Sequence, residues 1–153
     1  MDTREFRNCM GKFATGVTVV TYDTEDGKHG FTANSLTSVS LDPPLVLVSV
    51  DRKIKSFEYM KKNNFTVNIL KDTQEDTAMH FAGRTTEVLP FEWEEGENCH
   101  RLKESLAYIE CEPWAEYDGG DHVLYVGKVK NFKYDDGEAL GYYQGKFISI
   151  SAQ

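Results

Sequence analysis

Three short runs constrain this chain more than anything else in it: Gly16-Val17-Thr18-Val19-Val20-Thr21-Tyr22, Leu45-Val46-Leu47-Val48-Ser49-Val50 and Phe65-Thr66-Val67-Asn68-Ile69-Leu70. All are rich in β-branched or aromatic residues, which pack well on a pleated surface and lose rotamer freedom in a helix. They are short and bounded by turn formers, so each reads as a strand. Asp26-Gly27 closes the first with a turn signal, ahead of a second strand at 29–33. Asp42-Pro43-Pro44 gives the Leu45 run a rigid, extended lead-in. Strands resume at 106–112, 123–133 and 142–150, and Asp135-Asp136-Gly137 reads as the hairpin turn joining the last two.

Helical spacing occurs in three places. Phe6, Cys9, Met10 and Phe13 mark a helix within 3–13 that frays near Gly11, since glycine costs a helix about 1 kcal/mol. Ile54, Phe57 and Met60 mark another over 53–63. Asp72 and Glu75 start a third that runs to about Gly83, with Ala78, Met79, Phe81 and Ala82 on its apolar side. Residues 85–100 read as a loop, whose acids Glu92, Glu94, Glu95 and Glu97 suit a solvated surface better than a metal site. No repeat, linker or composition break interrupts the 153 residues, so one domain over 1–153 is expected. Six or seven short strands with two or three short helices favour a closed or partly closed β-barrel over βαβ layers.

Charge narrows the function. Seventeen basic against 25 acidic residues leave a net charge of -8, a poor match for nucleic acid or an acidic membrane. An anionic ligand must therefore find a local basic patch. Cys9, Cys99 and Cys111 form no C-x-x-C pair or metal spacing and read as reduced thiols of a cytoplasmic protein. Met1-Asp2-Thr3-Arg4-Glu5 leads into no apolar stretch, and no run approaches a membrane span, so neither secretion nor insertion is expected. There is no G-x-G-x-x-G behind a strand, no P-loop, no H-E-x-x-H and no G-x-S-x-G.

Several segments carry binding chemistry, each with a plain structural alternative. Thr32-Ala33-Asn34-Ser35-Leu36-Thr37-Ser38-Val39-Ser40 holds six hydroxyl or amide side chains in nine residues. They suit a polar ring edge or phosphate oxygens, or a turn that bonds its own backbone. Arg52, Lys53, Lys55, Lys61 and Lys62 fall within eleven residues, where a strand meets a helix start. Lys55 and Ser56 in that first turn suit a phosphate; a solvated helix face explains the same charges. Gly119-Gly120-Asp121-His122 presents a loop histidine that either meets a ligand or caps a strand. In Phe81-Ala82-Gly83-Arg84, Gly83 reads as a helix C-cap.

Taken in order, Phe13-Ala14-Thr15-Gly16-Val17-Thr18-Val19-Val20-Thr21, Thr32-Ala33-Asn34-Ser35, Ser38-Val39-Ser40-Leu41-Asp42-Pro43-Pro44-Leu45-Val46, Phe65–Leu70, Phe81–Arg84 and Gly120-Asp121-His122 resemble the flavin reductase domain family across essentially the whole chain. The resemblance implies a mainly β, Greek-key split β-barrel that binds FMN, with FAD possible, and forms a homodimer with flavin near the interface. It implies that Thr32, Ala33, Asn34, Ser35, Leu36 and Thr37 line the ring and ribityl chain. Ser49, Val50 and Asp51 are then expected at the ring edge, and Lys55 and Ser56 on the phosphate. Phe81, Ala82 and Gly83 are expected to close over the flavin. Catalytic His122 and the turn Tyr142-Tyr143-Gln144-Gly145 are expected on the nicotinamide side. Gln144 departs from the arginine that relatives often carry there. The implied activity is hydride transfer from NADH or NADPH to flavin N5, with no metal, supplying a partner monooxygenase. An FMN-holding electron carrier and a flavin-binding module without catalysis stand as alternatives.

Overall fold

A computed structural model describes residues 1–54 and 57–152, with the backbone alone described at Phe57. In chain order the elements are α1 (Thr3–Met10), β1 (Thr15–Gly16), β2 (Thr18–Thr24), β3 (Gly27–Ala33), β4 (Thr37–Leu41) and β5 (Pro44–Asp51). A 3-10 turn (Phe57–Lys61) precedes β6 (Phe65–Ile69), and another (Asp72–Gln74) leads into α2 (Glu75–Phe81). There follow β7 (Trp93–Glu94), β8 (Arg101–Leu102), β9 (Ala107–Gly119), β10 (His122–Tyr134), β11 (Ala139–Tyr143) and β12 (Lys146–Ile150). The chain is thus mainly β with two α-helices.

Seven strands make one antiparallel sheet in the order β3-β2-β6-β9-β10-β5-β4. A second sheet has the order β1-β11-β12, and β7 pairs β8 in a third. No ladder joins the edge strands β3 and β4 among the described residues, so the sheet is not a closed barrel. Apolar residues pack on both of its faces. Val20, Tyr22, Phe31, Val48, Val50, Met60, Phe65, Val67 and Tyr125 fill one core. Val17, Val19, Leu70, Ala78, Leu102 and Leu140 fill the other, beneath α2 and the second sheet. This explains why the β2 and β6 runs are nearly unbroken in apolar and small polar residues: both strands are covered on two sides. β5 alternates instead, sending Val46, Val48 and Val50 inward.

Several expectations are corrected. The segment 37–41 is not only a polar turn but an edge strand, whose outward residues need no apolar pattern. The 53–63 helix is reduced to the 3-10 turn, although Met60 is fully buried as its spacing implied. The helix start expected at Lys55 and Ser56 falls outside the described residues. Asp135-Asp136-Gly137 is no hairpin: β10 and β11 belong to different sheets, and this segment crosses between them. The final run 142–150 is two strands, paired through a turn at Gln144-Gly145. β9 runs on past Pro113, where the register shifts opposite Val126 and Gly127; a proline is tolerated at such a bulge. The Gly119–His122 segment is the tip of this β9–β10 hairpin. The 85–100 loop is tied down, since Glu94 accepts from Arg101 at 2.7 Å. α1 forms as its spacing predicts but buries none of its residues.

Candidate functional site

The hydroxyls of 32–37 largely serve the protein itself. Thr32 Oγ1 donates to the Ala78 carbonyl at 2.6 Å, clamping β3 to α2. Ser35 Oγ accepts from Ser49 N–H at 3.0 Å and donates to Ser49 C=O at 3.2 Å, so one side chain completes the edge of β5 where the β4 ladder has ended. Thr37 Oγ1 reaches the Ser35 carbonyl at 3.4 Å. The turn thus bonds its own backbone at Thr37 and neighbouring elements at Thr32 and Ser35, while the Asn34 amide is exposed with no hydrogen bond among the described residues.

Two clefts meet at Asn34. The first, about 710 Å³, brings Thr32, Ala33 and Asn34 together with Ala82, Tyr142 and Gly145. The second, about 590 Å³, places Asn34, Ser35, Leu36 and Thr37 opposite Met10, Phe13 and Thr15. Val17 and Asn34 line both. Segments far apart in the chain thus converge on two adjoining clefts. Thr15 Oγ1 in this wall, shielded from water, has no hydrogen-bond partner among the described residues.

The other expected residues lie around this centre. Val50 is fully buried in the core, which leaves only its main chain to face a ligand. Phe81 sits in an aromatic cluster with His80, Phe91 and Trp93, its ring against Gly30, where a Cβ would come within 2.9 Å. It braces the wall while Ala82 lines the cleft. Gly83 has φ +103° and donates to His80 C=O, while Arg84 N–H donates to Met79 C=O. These two bonds form a Schellman cap, which needs a left-handed residue at Gly83. Tyr143 is exposed, and its hydroxyl accepts from Gln144 Nε2 at 3.1 Å. Lys55 and Ser56 lie outside the described residues.

His122 and Asp51 face each other across β10 and β5, and neither lines the two clefts. His122 Nδ1 lies 2.7 Å from Asp121 Oδ1, and this hydrogen bond holds the Asp121 carboxyl below its usual range. Arg52 braces that hairpin tip. Its Nε donates to Gly120 C=O at 2.8 Å, its backbone N–H bonds Asp121 C=O, and its guanidinium pairs with Asp118. The sequence grouped Arg52 with phosphate-binding cations; the structure spends it on a turn. Sequence reasoning missed Glu75, Met79, Arg84, Lys146 and Phe147 as cleft residues. Glu75, Met79 and Ala82 stand at i, i+4 and i+7, so one helix face was the available signal.

A family described as "Flavin reductase like domain" matches residues 10–151. The chain is 41% identical over 150 residues to an NADH-dependent flavin reductase of Rhodococcus sp, covering 94% of this chain and 84% of that protein. It is 38% identical over 141 residues to the reductase component of 4-hydroxyphenylacetate 3-monooxygenase from Thermus thermophilus, covering 91% of each. It spans about half the length of two other curated relatives, of which it covers 49% and 48%. The solved structure of flavin reductase PheA2 superposes with a TM-score of 0.92 at 41% identity, covering 99% of this chain and 100% of that one. With a family match over most of its length and folded relatives to agree with it, this chain belongs to the flavin reductase-like domain family.

Proposed function

We infer that this chain is an NAD(P)H:flavin oxidoreductase, which reduces flavin with electrons from NADH and supplies a partner monooxygenase. The observation that carries the site assignment is the convergence of Thr32, Ala33, Asn34, Ala82 and Tyr142 on one cleft, joined at Asn34 to a second. A flavin has a flat apolar body and a polar edge. The walls offer matching chemistry: apolar Ala33, Leu36, Met10 and Phe13, the uncommitted Asn34 amide, and the Thr15 hydroxyl that lacks a partner. FMN is the favoured flavin, with FAD accommodated.

Bound flavin supplies the hydride acceptor, at N5 of its ring. The chain supplies orientation and exclusion of water, which is what a cofactor reaction asks of a protein. Ser35 holds the end of β5 in place through its two bonds to Ser49. Asn34 and Thr15 fix a polar edge, and Ala82 and Tyr142 close the far side. Lys55 and Ser56 are assigned to the flavin phosphate, and Ser49, bonded to the cleft residue Ser35, to the ring edge. His122, held by Asp121, serves the nicotinamide.

A homodimer on a split barrel completes this reading. Phe6, Met10 and Phe13 in and beside α1 are uncovered, as are Leu41, Phe132 and Tyr134 near the β4 edge. Apolar groups of this size left in water mark an interaction surface. A second copy covering them also offers His122 a route to a cleft it does not line within its own chain. The family match over 10–151 supports one unit over 1–153. Three free cysteines support a cytoplasmic setting, and no helix among the described residues is long and apolar enough to cross a membrane.

The test is loss of NADH absorbance by purified protein with FMN, FAD or riboflavin added in turn. Oxidation that depends on added flavin is expected. A protein that keeps its flavin through purification and does not turn over added flavin is instead an electron carrier. A protein that neither oxidises NADH nor binds flavin removes the site.

A further inference from the structure

Some cations among the described residues are committed to acids, and some are not. Arg52, Lys61, Arg101, Lys103 and Lys130 each face a carboxylate. Arg84 and Lys146 do not: both line the first cleft, both are exposed, and neither has an ion-pair partner among the described residues. In a chain of net charge -8, two cations against one acid in the same cleft leave a local field of the opposite sign.

Their mounts are rigid. Arg84 is the second residue beyond the helix, directed by the Schellman cap at Gly83 through the bond from Arg84 N–H to Met79 C=O at 3.0 Å. Lys146 leaves the two-residue turn of the β11–β12 hairpin, opposite Tyr143 in register. Gln144 and Gly145 hold that turn at φ 51° and 76°, the left-handed pair that matches strand twist. The turn is anchored again where Gln144 N–H donates to Gly11 C=O at 2.9 Å. Glu75 is the one acid lining the same cleft among the described residues.

We propose that Arg84 and Lys146 grip the pyrophosphate of the nicotinamide dinucleotide, while Glu75 weakens that grip. The inference rests on the reductase reading and adds the residues that hold the co-substrate's anionic centre. A pyrophosphate carries two negative charges, which two cations lining one cleft can hold. Placed there, the dinucleotide runs past Tyr142 toward Ala33 and Asn34, where the flavin wall begins. Arg84 and Lys146 are binding residues remote from the reacting atoms, so their loss raises KM and leaves kcat in place.

The test uses ADP-ribose, which carries the pyrophosphate and lacks nicotinamide, with its Kd measured by calorimetry on wild type, R84A, K146A, R84K and E75Q. Each alanine variant is expected to weaken ADP-ribose about tenfold, the scale of one partly screened charge-assisted contact. R84K is expected to recover part of the loss, E75Q to tighten binding several-fold, and added salt to shrink all these differences. NADH turnover is expected to show the same changes in KM with kcat within about twofold. Unchanged ADP-ribose binding in both alanine variants overturns the proposal and leaves the reductase reading intact. A loss confined to FMN, with riboflavin and ADP-ribose unaffected, also overturns it by assigning the cations to the flavin phosphate. A wild-type protein that neither binds ADP-ribose nor oxidises NADH in the presence of flavin defeats both.

Discussion

Replacing Glu110 with alanine should be among the most damaging single changes outside the clefts. Glu110 is fully buried on β9. One carboxylate oxygen accepts from Arg101 Nη1 at 2.8 Å and the other from Asn98 Nδ2 at 2.9 Å. Arg101 also donates to Glu94 at 2.7 Å and lies over the Tyr108 ring at 3.9 Å. The carboxylate therefore ties the 94–101 segment to the sheet. Removing one partner of a buried pair costs about 3–5 kcal/mol, because the remaining charge stays desolvated. Arg101 keeps Glu94, and its side chain is 15% exposed, so the lower end applies: about 3 kcal/mol. For a chain of this size that lowers Tm by roughly 6–12 °C at 2–4 °C per kcal/mol. Circular dichroism melts, with urea unfolding as a second measure, read the change. E110Q keeps the shape and an acceptor, and should lose less than E110A. A loss below about 1 kcal/mol in E110A refutes the argument that the buried carboxylate holds this segment.

Three further outcomes are open to measurement. Gly127→Ala would put a Cβ 2.5 Å from Phe65 Cζ and 2.8 Å from Cys111 Cβ, so overpacking should cost about 1–3 kcal/mol; a variant as stable as wild type in urea counts against a rigid contact there. Burial raises the Cys99 thiol from near 9 to about 11 and the Cys111 thiol to about 12. Both folded values lie above the unfolded one, so this contribution to stability is complete below about pH 9 and is lost as pH rises toward the folded values. A thiol reagent at pH 8 should label exposed Cys9 in the native protein and all three cysteines after unfolding; rapid native labelling of more than one thiol contradicts the burial. His122→Ala should slow flavin reduction by NADH roughly tenfold or more while flavin affinity holds, read by stopped-flow absorbance; an unaltered rate removes His122 from the site.

What the sequence determined by itself was local. The β-branched runs announced β2, β5 and β6, because a strand's alternation and side-chain fit are properties of its own residues. Gly83 announced the end of α2, since a left-handed cap admits little else. The ordered motifs, read as a family resemblance, pointed to the segments that build the clefts. Tertiary structure decided the rest. β4 is polar because it is an edge, and nothing local says that 37–41 will find a partner in β5. Asp135–Gly137 looks like a hairpin, yet it crosses between sheets, because pairing depends on which strands are brought alongside. Arg52 and Arg84 are the same residue type, each just beyond the end of an element, β5 and α2. One is committed to Asp118 and Gly120 and the other faces an open cleft. A charge carries no record in sequence of which counter-charge will lie beside it, so only the folded chain distinguishes a brace from a binding group.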